Sequence, residues 1–265
     1  MNDSILTVGV LALDIAWADK ETNLKVVREY VCRYGREIDL LVLPELFTTA
    51  FAQDINVLPG LAEDDNGITI SELRELSREY DVAIGGSYLA KLNDNYYNRG
   101  FIILPDGNGA FYNKRHLFGL SAESRMFTPG TDLPAVVTFK GWRLALIVCY
   151  DLRFPVWCRR NDCNCQYDLL MVVANWPISR RYAWKHLLIA RAIENQAVVV
   201  GADRSGRDDF GEYDGMTYVY DCTGHEVDMD VKDNMLTVSR VSLDQLSEMR
   251  RRWPMANDAD RFRVL

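Results

Sequence analysis

The sequence predicts an α/β fold in one layered domain, and three observations carry that prediction. Short apolar runs bounded by turn residues alternate with amphipathic segments along the whole chain, as when strands pair and helices pack on them. No internal repeat, low-complexity tract or long Gly/Pro/Ser linker divides the 265 residues. A compact domain of that length buries roughly 70–75% of its unfolded surface, so one large core is feasible. Finally, three elements lead into chemically reactive residues, Glu45, Lys114 and Cys149. Open α/β sheets bind ligands outside the carboxyl ends of their strands, so these endings mark one edge of the sheet for attention.

Taken in order, Thr7 to Leu13 reads as a first strand, and Asn23 to Tyr34 as a helix with Thr22 as its N-cap. Leu40 to Leu43 is a short buried strand. Ile70 to Tyr80 carries Leu73 and Leu76 on one face and reads as a helix. Val82 to Leu89 and Arg99 to Leu104 read as paired strands, the second stopped by the Pro105-Asp106-Gly107 turn. A further strand precedes Lys114. Trp142 to Cys149 and Leu169 to Ala174 follow as strands, then a helix from Arg181 to Asn195 with Trp184, Leu187, Leu188 and Ala192 toward one side. Ala197 to Ala202, Thr217 to Tyr220 and Met235 to Val241 complete the strands. Leu243 to Arg252 is a closing helix, and the charged tail from Trp253 is expected to be extended.

Composition narrows the classes. Hydrophobic residues make up 48% and charged residues 26%, ordinary values for a soluble globular protein. A net charge of −8 argues against a nucleic-acid surface, which needs clustered Lys and Arg. No apolar run approaches the roughly 18 residues of a membrane span, and the N-terminus lacks the basic and apolar regions of a secretory signal. A cytoplasmic location is the expectation, with Cys32, Cys149, Cys158, Cys163, Cys165 and Cys222 as free thiols. Cys158, Cys163 and Cys165 lie close together, yet they form no CxxC pair and no histidine follows at finger spacing. Incidental thiols, not a zinc site, are expected.

The run Leu144-Ala145-Leu146-Ile147-Val148 ends on Cys149 before a polar turn, which reads as a buried strand presenting a nucleophile. A cysteine attacks as thiolate and needs a neighbouring base or positive charge to ionise near neutrality. The usual partner is histidine, and the chain has His116, His186 and His225. His186 reads as mid-helix and partly buried, His225 as part of a surface turn, and neither lies in a site-like segment. A carboxylate serves equally well if burial raises its pKa. Glu45 follows Leu40-Leu41-Val42-Leu43-Pro44 directly, and a carboxylate so enclosed requires a partner. Lys114 is the natural one. Singly, each residue is also explained by a structural Glu45–Lys114 ion pair with Cys149 as a small core side chain; together, the three favour acyl transfer.

Leu43-Pro44-Glu45, Tyr112-Asn113-Lys114-Arg115-His116-Leu117-Phe118 and Val148-Cys149-Tyr150-Asp151-Leu152-Arg153-Phe154-Pro155 resemble the three signature segments of the carbon–nitrogen hydrolase (nitrilase) superfamily. Their order and separation match as well, and the similarity runs from about Leu6 to Val241. The resemblance implies a four-layer α-β-β-α sandwich as a single domain over 1–265, with a core at about 6–241 and a C-terminal helix and tail over 242–265. It implies that subunits pair through their helical faces, as a homodimer or higher homo-oligomer. By the same resemblance Glu45 is the general base and Cys149 the nucleophile that forms a thioester. Lys114 and the backbone N–H of Tyr150 would hold the oxyanion, and Glu123 would orient Lys114 or the substrate amide. No metal or organic cofactor is implied.

The short spacing from Lys114 to Glu123 is one of two more particular features. The other is Asn175-Trp176-Pro177, followed by Arg181, Trp184 and the run from Ala190 to Gln196. Both resemble the omega-amidase branch, whose members hydrolyse the terminal amide of 2-oxo acids such as 2-oxoglutaramate or 2-oxosuccinamate. A small carboxylate-bearing amide is therefore the expected partner. Arg204, just after a predicted strand, is the expected carboxylate anchor, with Phe118 and Trp176 as apolar walls. Arg153 is expected in a salt bridge that stiffens the Cys149 turn. Met216 stands where the family often has a small hydroxyl residue and Asp203 where it has asparagine; both affect pocket shape. An N-carbamoyl amino acid hydrolase or a nitrilase on the same scaffold remains an alternative, as does a non-catalytic binding subunit.

Overall fold

Two sheets packed face to face, with helices on both outer faces, make up the molecule. The computed structural model describes residues 4–51, 56–160, 166–262 and 264. The strands of the first half are β1 (Ile5–Leu11), β2 (Leu40–Val42), β3 (Ala83–Leu92), β4 (Asn95–Ile103) and β5 (Gly109–Asn113). Those of the second half are β6 (Val136–Phe139), β7 (Trp142–Val148), β8 (Leu169–Ala174), β9 (Val198–Asp203), β10 (Ser205–Asp208), β11 (Gly211–Asp214), β12 (Tyr218–Tyr220), β13 (Met229–Val231) and β14 (Leu236–Ser242). The α-helices are α1 (Lys20–Tyr34), α2 (Leu58–Leu61), α3 (Ile68–Tyr80), α4 (Glu123–Met126), α5 (Pro155–Cys158), α6 (Arg181–Asn195) and α7 (Leu243–Arg252).

One sheet has the order β13-β14-β1-β2-β3-β4-β5 and the other β12-β9-β8-β7-β6, while β10 and β11 form a separate hairpin. Each sheet has three parallel strands at its heart, β1-β2-β3 and β7-β8-β9, flanked by antiparallel neighbours. Because side chains alternate across a strand, each run serves two layers at once. Leu6, Val8 and Val10 of β1 and Leu144, Leu146 and Val148 of β7 meet in the layer between the sheets. Leu11 and Leu41 face the other way, onto Leu24, Val27 and Val31 of α1 and Ile70, Leu73 and Leu76 of α3. Ala145 and Ile147 likewise face Trp184, Leu188 and Ala192 of α6. Burial on both faces explains why these strands are continuous apolar runs with no polar alternation. The result is the expected α-β-β-α sandwich.

Several local readings need correction. Helix α1 begins at Lys20 and its cap is Asp19, whose carboxylate accepts the Thr22 N–H at 3.1 Å; Thr22 already lies in the first turn. Strand β4 begins at Asn95, four residues before the expected start, because Asn95, Tyr96, Tyr97 and Asn98 hid its apolar signal. Edge strands β6 and β13 and the β10–β11 hairpin have partly exposed faces and gave no apolar run to find. The tail is not simply extended, since Met255–Asp258 forms a 3-10 turn. His186 is exposed, its ring nitrogen against the Tyr182 carbonyl at 2.7 Å. Cys158 buries its thiol, which donates to the Asp151 carbonyl at 3.3 Å; Cys163 and Cys165 lie outside the described residues. Among the described residues no helix is long and apolar enough to cross a membrane.

The topology sets the site. Strands β2 and β3 run parallel, and two successive antiparallel pairings give β5 the same sense as β3. Chain segments leaving β2 and β5 therefore emerge at one edge of the first sheet. Strands β7, β8 and β9 bring their own carboxyl ends to one edge of the second.

Candidate active site

Each reactive side chain sits just beyond a strand. After β2, Leu43 is held by an N–H bond to the Gly85 carbonyl at 2.7 Å, and Leu46, at φ 47°, turns the chain so that its N–H donates to Ser87 Oγ at 2.9 Å. Glu45 is fixed between these two anchors. Lys114 follows β5 and is tied by its own N–H to the Asn98 carbonyl at 2.9 Å. Cys149 follows β7 at φ 51° and opens a 3-10 turn to Arg153. A non-glycine residue in the left-handed region is strained by about 1–3 kcal/mol, and here the strain lifts the thiol out of the strand toward the cavity.

The polar contacts form a closed set. Lys114 Nζ donates to Glu45 Oε1 at 2.9 Å and to the two oxygens of Glu123 at 2.8 and 3.1 Å. All three residues are buried. Asn98 Nδ2 donates to Glu45 Oε1 at 2.7 Å, the Asn175 N–H to Glu45 Oε2 at 2.9 Å, and the Phe118 N–H to Glu123 Oε2 at 2.7 Å. Burial works against the Lys114 ammonium, but Glu123 and Glu45 outweigh it and hold its pKa well above the ordinary value. Burial pushes the Glu123 carboxyl up against the pull of Lys114. The Cys149 thiol is pushed well up by burial and by the negative charges of Glu45 and Glu123, with Lys114 opposing. The direction of the Cys149 shift favours the neutral thiol.

Glu45, Lys114, Glu123, Cys149, Tyr150, Phe118 and Trp176 all line one cavity of about 190 Å³. Trp176 is buried and its Nε1 lies 3.1 Å from Cys149 Sγ. The Tyr150 N–H stands in the first turn of the 3-10 segment, next to Cys149. Arg204 is not part of this wall. Its guanidinium is buried, donates to Asp208 Oδ2 at 2.9 Å and to the Ser205 and Ile15 carbonyls, and lies over the Tyr213 ring. A strand-end position brought the residue near, but its side chain turned to a structural pairing. Arg153 also departs from expectation. No carboxylate among the described residues lies within salt-bridge distance; its guanidinium is 4.6 Å from the centre of the Trp176 ring, at the cavity. Arg180, which sequence reasoning missed, lines the same cavity 4.8 Å over Phe118.

Asn98 was missed too, and Asn175 and Asp151 were read only as members of their motifs, without a role at the site. Asp151 is buried and accepts from the Tyr112 hydroxyl at 2.8 Å, the His116 N–H at 2.9 Å and the Val148 N–H at 3.2 Å, tying the lysine segment to the cysteine turn. Its place two residues after Cys149 was the available signal. Asp203, at the end of β9, is fully buried and accepts the Trp176 and Arg204 N–H groups on Oδ1 at 2.8 and 3.0 Å. Met216 packs in the layer beneath Trp184, not at the cavity.

Residues 7–251 match the family model described as Carbon-nitrogen hydrolase. The chain belongs to the carbon–nitrogen hydrolase family. It is 38% identical to Omega-amidase YafV of Yersinia enterocolitica over 99% of this chain and 100% of that one. It is 30% identical to 2-oxoglutaramate amidase of Bacillus subtilis over 95% and 96% of the two chains. Among solved structures, the hydrolase superposes on XC1258 of Xanthomonas campestris, a CN-hydrolase superfamily protein carrying an arsenic adduct in its active site. That match has a TM-score of 0.91 at 34% identity, covering 98% and 99% of the chains. Saccharomyces cerevisiae Nit3, at 20% identity and TM-score 0.82 over 95% of each chain, shares the fold. The protein is a hydrolase of carbon–nitrogen bonds, and its relatives make it an amidase.

Proposed function

We propose that this amidase removes the terminal carboxamide of a 2-oxo acid such as 2-oxoglutaramate or 2-oxosuccinamate, through a thioester on Cys149. The observation that carries the reading is the convergence of Cys149, Glu45 and Lys114 on one small cavity, with Lys114 Nζ 2.9 Å from Glu45 Oε1. Two further facts support the substrate class: the names of the relatives above, and two guanidiniums, Arg153 and Arg180, at the cavity without a carboxylate partner among the described residues. A substrate carboxylate supplies what they lack.

The reaction proceeds in two halves. Glu45 takes the Cys149 proton as Sγ bonds to the amide carbon, and the carbonyl electrons move to oxygen. Lys114 Nζ and the Tyr150 N–H stabilise that oxyanion, each such donor being worth about 3–4 kcal/mol of barrier. The C–N bond then breaks, Glu45 returns its proton to the departing nitrogen, and ammonia leaves. A water gives a proton to Glu45 and attacks the thioester carbon. The same donors hold the second oxyanion, the C–S bond breaks, and sulfur regains its proton. Glu123 holds Lys114 in place throughout.

Ammonia release from 2-oxoglutaramate and 2-oxosuccinamate, by wild type and Cys149→Ala, tests this reading. Release by wild type alone is expected. No release from either amide by folded wild type would overturn the substrate class, and release by Cys149→Ala would overturn the thioester. We also propose that two copies pair through the outer face of α6, where Tyr182 and Ile193 are exposed; a monomeric mass by light scattering at micromolar concentration would refute it.

A further inference from the structure

The indole of Trp176 lies closer to the reacting sulfur than an ordinary cavity wall requires. Its Nε1 is 3.1 Å from Cys149 Sγ. The molecule offers three internal comparisons: Trp142 Nε1 is buried with no partner among the described residues, while the other two find oxygen. Trp184 Nε1 donates to the Met216 carbonyl at 2.8 Å and Trp157 Nε1 to the Tyr112 hydroxyl at 2.7 Å. Trp176 instead spends its only polar hydrogen on sulfur. A thiol is a weak acceptor, and a buried N–H facing one is poorly satisfied. A thiolate is a strong acceptor, because hydrogen bonds to an ionised partner are about twice as strong as neutral ones. The contact therefore favours one protonation state of Cys149 over the other.

The indole is also held where it is. Its own main-chain N–H donates to Asp203 Oδ1 at 2.8 Å, and the preceding N–H, of Asn175, donates to Glu45 Oε2 at 2.9 Å. The ring packs on Trp184 with centroids 5.4 Å apart. The Arg153 guanidinium lies 4.6 Å from the ring centre, and a cation over an indole face draws electron density from the ring, which strengthens its N–H as a donor.

We infer that Trp176 is a further catalytic residue, whose indole N–H donates to Cys149 Sγ and stabilises the thiolate while Glu45 holds the proton. The Nε1 proton stays on nitrogen throughout; the thiol proton alone moves, to Glu45. The bond acts twice in a turnover, before Sγ attacks the amide carbon and again when the C–S bond of the second tetrahedral intermediate breaks and sulfur leaves with its electron pair. It opposes the burial and the carboxylate charges that disfavour the thiolate. The inference rests on Cys149 as nucleophile and Glu45 as its base, and not on which amide is cleaved.

Iodoacetamide alkylation of Cys149 tests it without any substrate. The rate is read on the Cys149 peptide by mass spectrometry from pH 6 to about pH 11.5, because burial holds the thiol above its ordinary value, in the full chain of wild type and Trp176→Phe. Loss of the donor is expected to raise the midpoint by about one pH unit. Below the midpoint the rate falls about threefold, since tenfold less thiolate is partly offset by its greater basicity. An unchanged midpoint in folded Trp176→Phe overturns the inference, even in an enzyme that releases ammonia from 2-oxo acid amides. A raised midpoint in an enzyme that cleaves neither amide supports it while removing the substrate reading. Wild-type protein gives a second measure should Trp176→Phe not fold. In ¹⁵N-labelled protein one indole N–H resonance should move downfield across the alkylation midpoint and stay still in Cys149→Ala. Indole resonances that all stay still across that midpoint in wild type overturn the inference.

Discussion

Glu123 grips the Lys114 ammonium with both carboxylate oxygens, at 2.8 and 3.1 Å, while Glu45 meets the same ammonium with one, at 2.9 Å. Two carboxylates thus share one buried cation. Their charges outweigh burial in holding the Lys114 pKa up, and they add to burial in pushing the Cys149 thiol up. Both Glu123 oxygens face Lys114, with the Phe118 N–H on Oε2 as well. Glu45 Oε2 accepts the Asn175 N–H, and the Glu45 charge opposes ionisation of the thiol more strongly than that of Glu123 does.

Glu123→Gln is therefore expected to have two separable effects. Lys114 loses a bidentate anchor, and an oxyanion donor displaced by about 1 Å costs on the order of 100-fold in rate. At the same time the thiol loses a nearby negative charge, so the pH midpoint of Cys149 alkylation should move down. A lower kcat with an unmoved midpoint would mean that Glu123 carries no charge in the resting enzyme.

The arginines at the cavity make a second prediction. Arg153→Met and Arg180→Met should each raise KM for a carboxylate-bearing amide by about 10- to 100-fold, the worth of a charge-assisted hydrogen bond of about 1.5–3 kcal/mol. Hydrolysis of a neutral amide of similar size should change little. Arg204→Met should behave differently, because its buried guanidinium pairs with Asp208 at 2.9 Å. Leaving that carboxylate without its partner costs about 3–5 kcal/mol of stability. Equal KM effects on charged and neutral amides would reject the anchoring role.

That contrast shows where sequence reading stops. Glu45, Lys114 and Cys149 were legible because each follows a strand, and strand ends place backbone, and with it the first atoms of a side chain, at a known edge. The layers were legible because strands buried on both faces have to be continuous apolar runs. Arg204 and Arg153 were misread because an arginine side chain spans several ångströms and its direction is decided by neighbours distant in sequence. Ile15 and Asp208 claim one, and the Trp176 face claims the other. Asn98 was invisible for a related reason: a polar residue on a strand gives no sign of which face it takes. Here it faces inward to serve Glu45 at 2.7 Å.

Asp151 offers a test of the frame behind the nucleophile. One of its oxygens accepts from the Tyr112 hydroxyl and the Val148 N–H, and the other from the His116 N–H and faces its ring nitrogen at 2.8 Å. Asparagine has the same shape but turns one acceptor into a donor, so it strands at least one buried donor whichever way it points. Asp151→Asn should cost at least about 2 kcal/mol in urea denaturation and lower kcat more than it raises KM. Unchanged stability would mean that the turn is held by its aromatic contacts alone, such as the His116–Phe154 stack at 3.7 Å.

Asp203 gives a pH-dependent prediction with a definite sign. Burial pushes its carboxyl well above the unfolded value of 3.8, against the bonds from the Trp176 and Arg204 N–H groups, and Glu45 adds to the rise. One of its oxygens, Oδ2, is buried without a partner, which suits a neutral acid better than an anion. The folded chain therefore keeps a proton that the unfolded chain releases above about pH 4. For a raised pKa, stability from this group is complete below 3.8 and is lost as pH rises toward the folded value, at about 1.4 kcal/mol per pH unit. Asparagine keeps the acceptor that Trp176 and Arg204 use and has no proton to lose. Asp203→Asn should consequently gain stability over wild type between pH 4.5 and pH 7.5 in urea titrations, with the smallest difference at the acid end. A difference that is the same at both pH values would show that Asp203 is ionised in the folded protein, and its unpaired oxygen would then have to be satisfied by bound water.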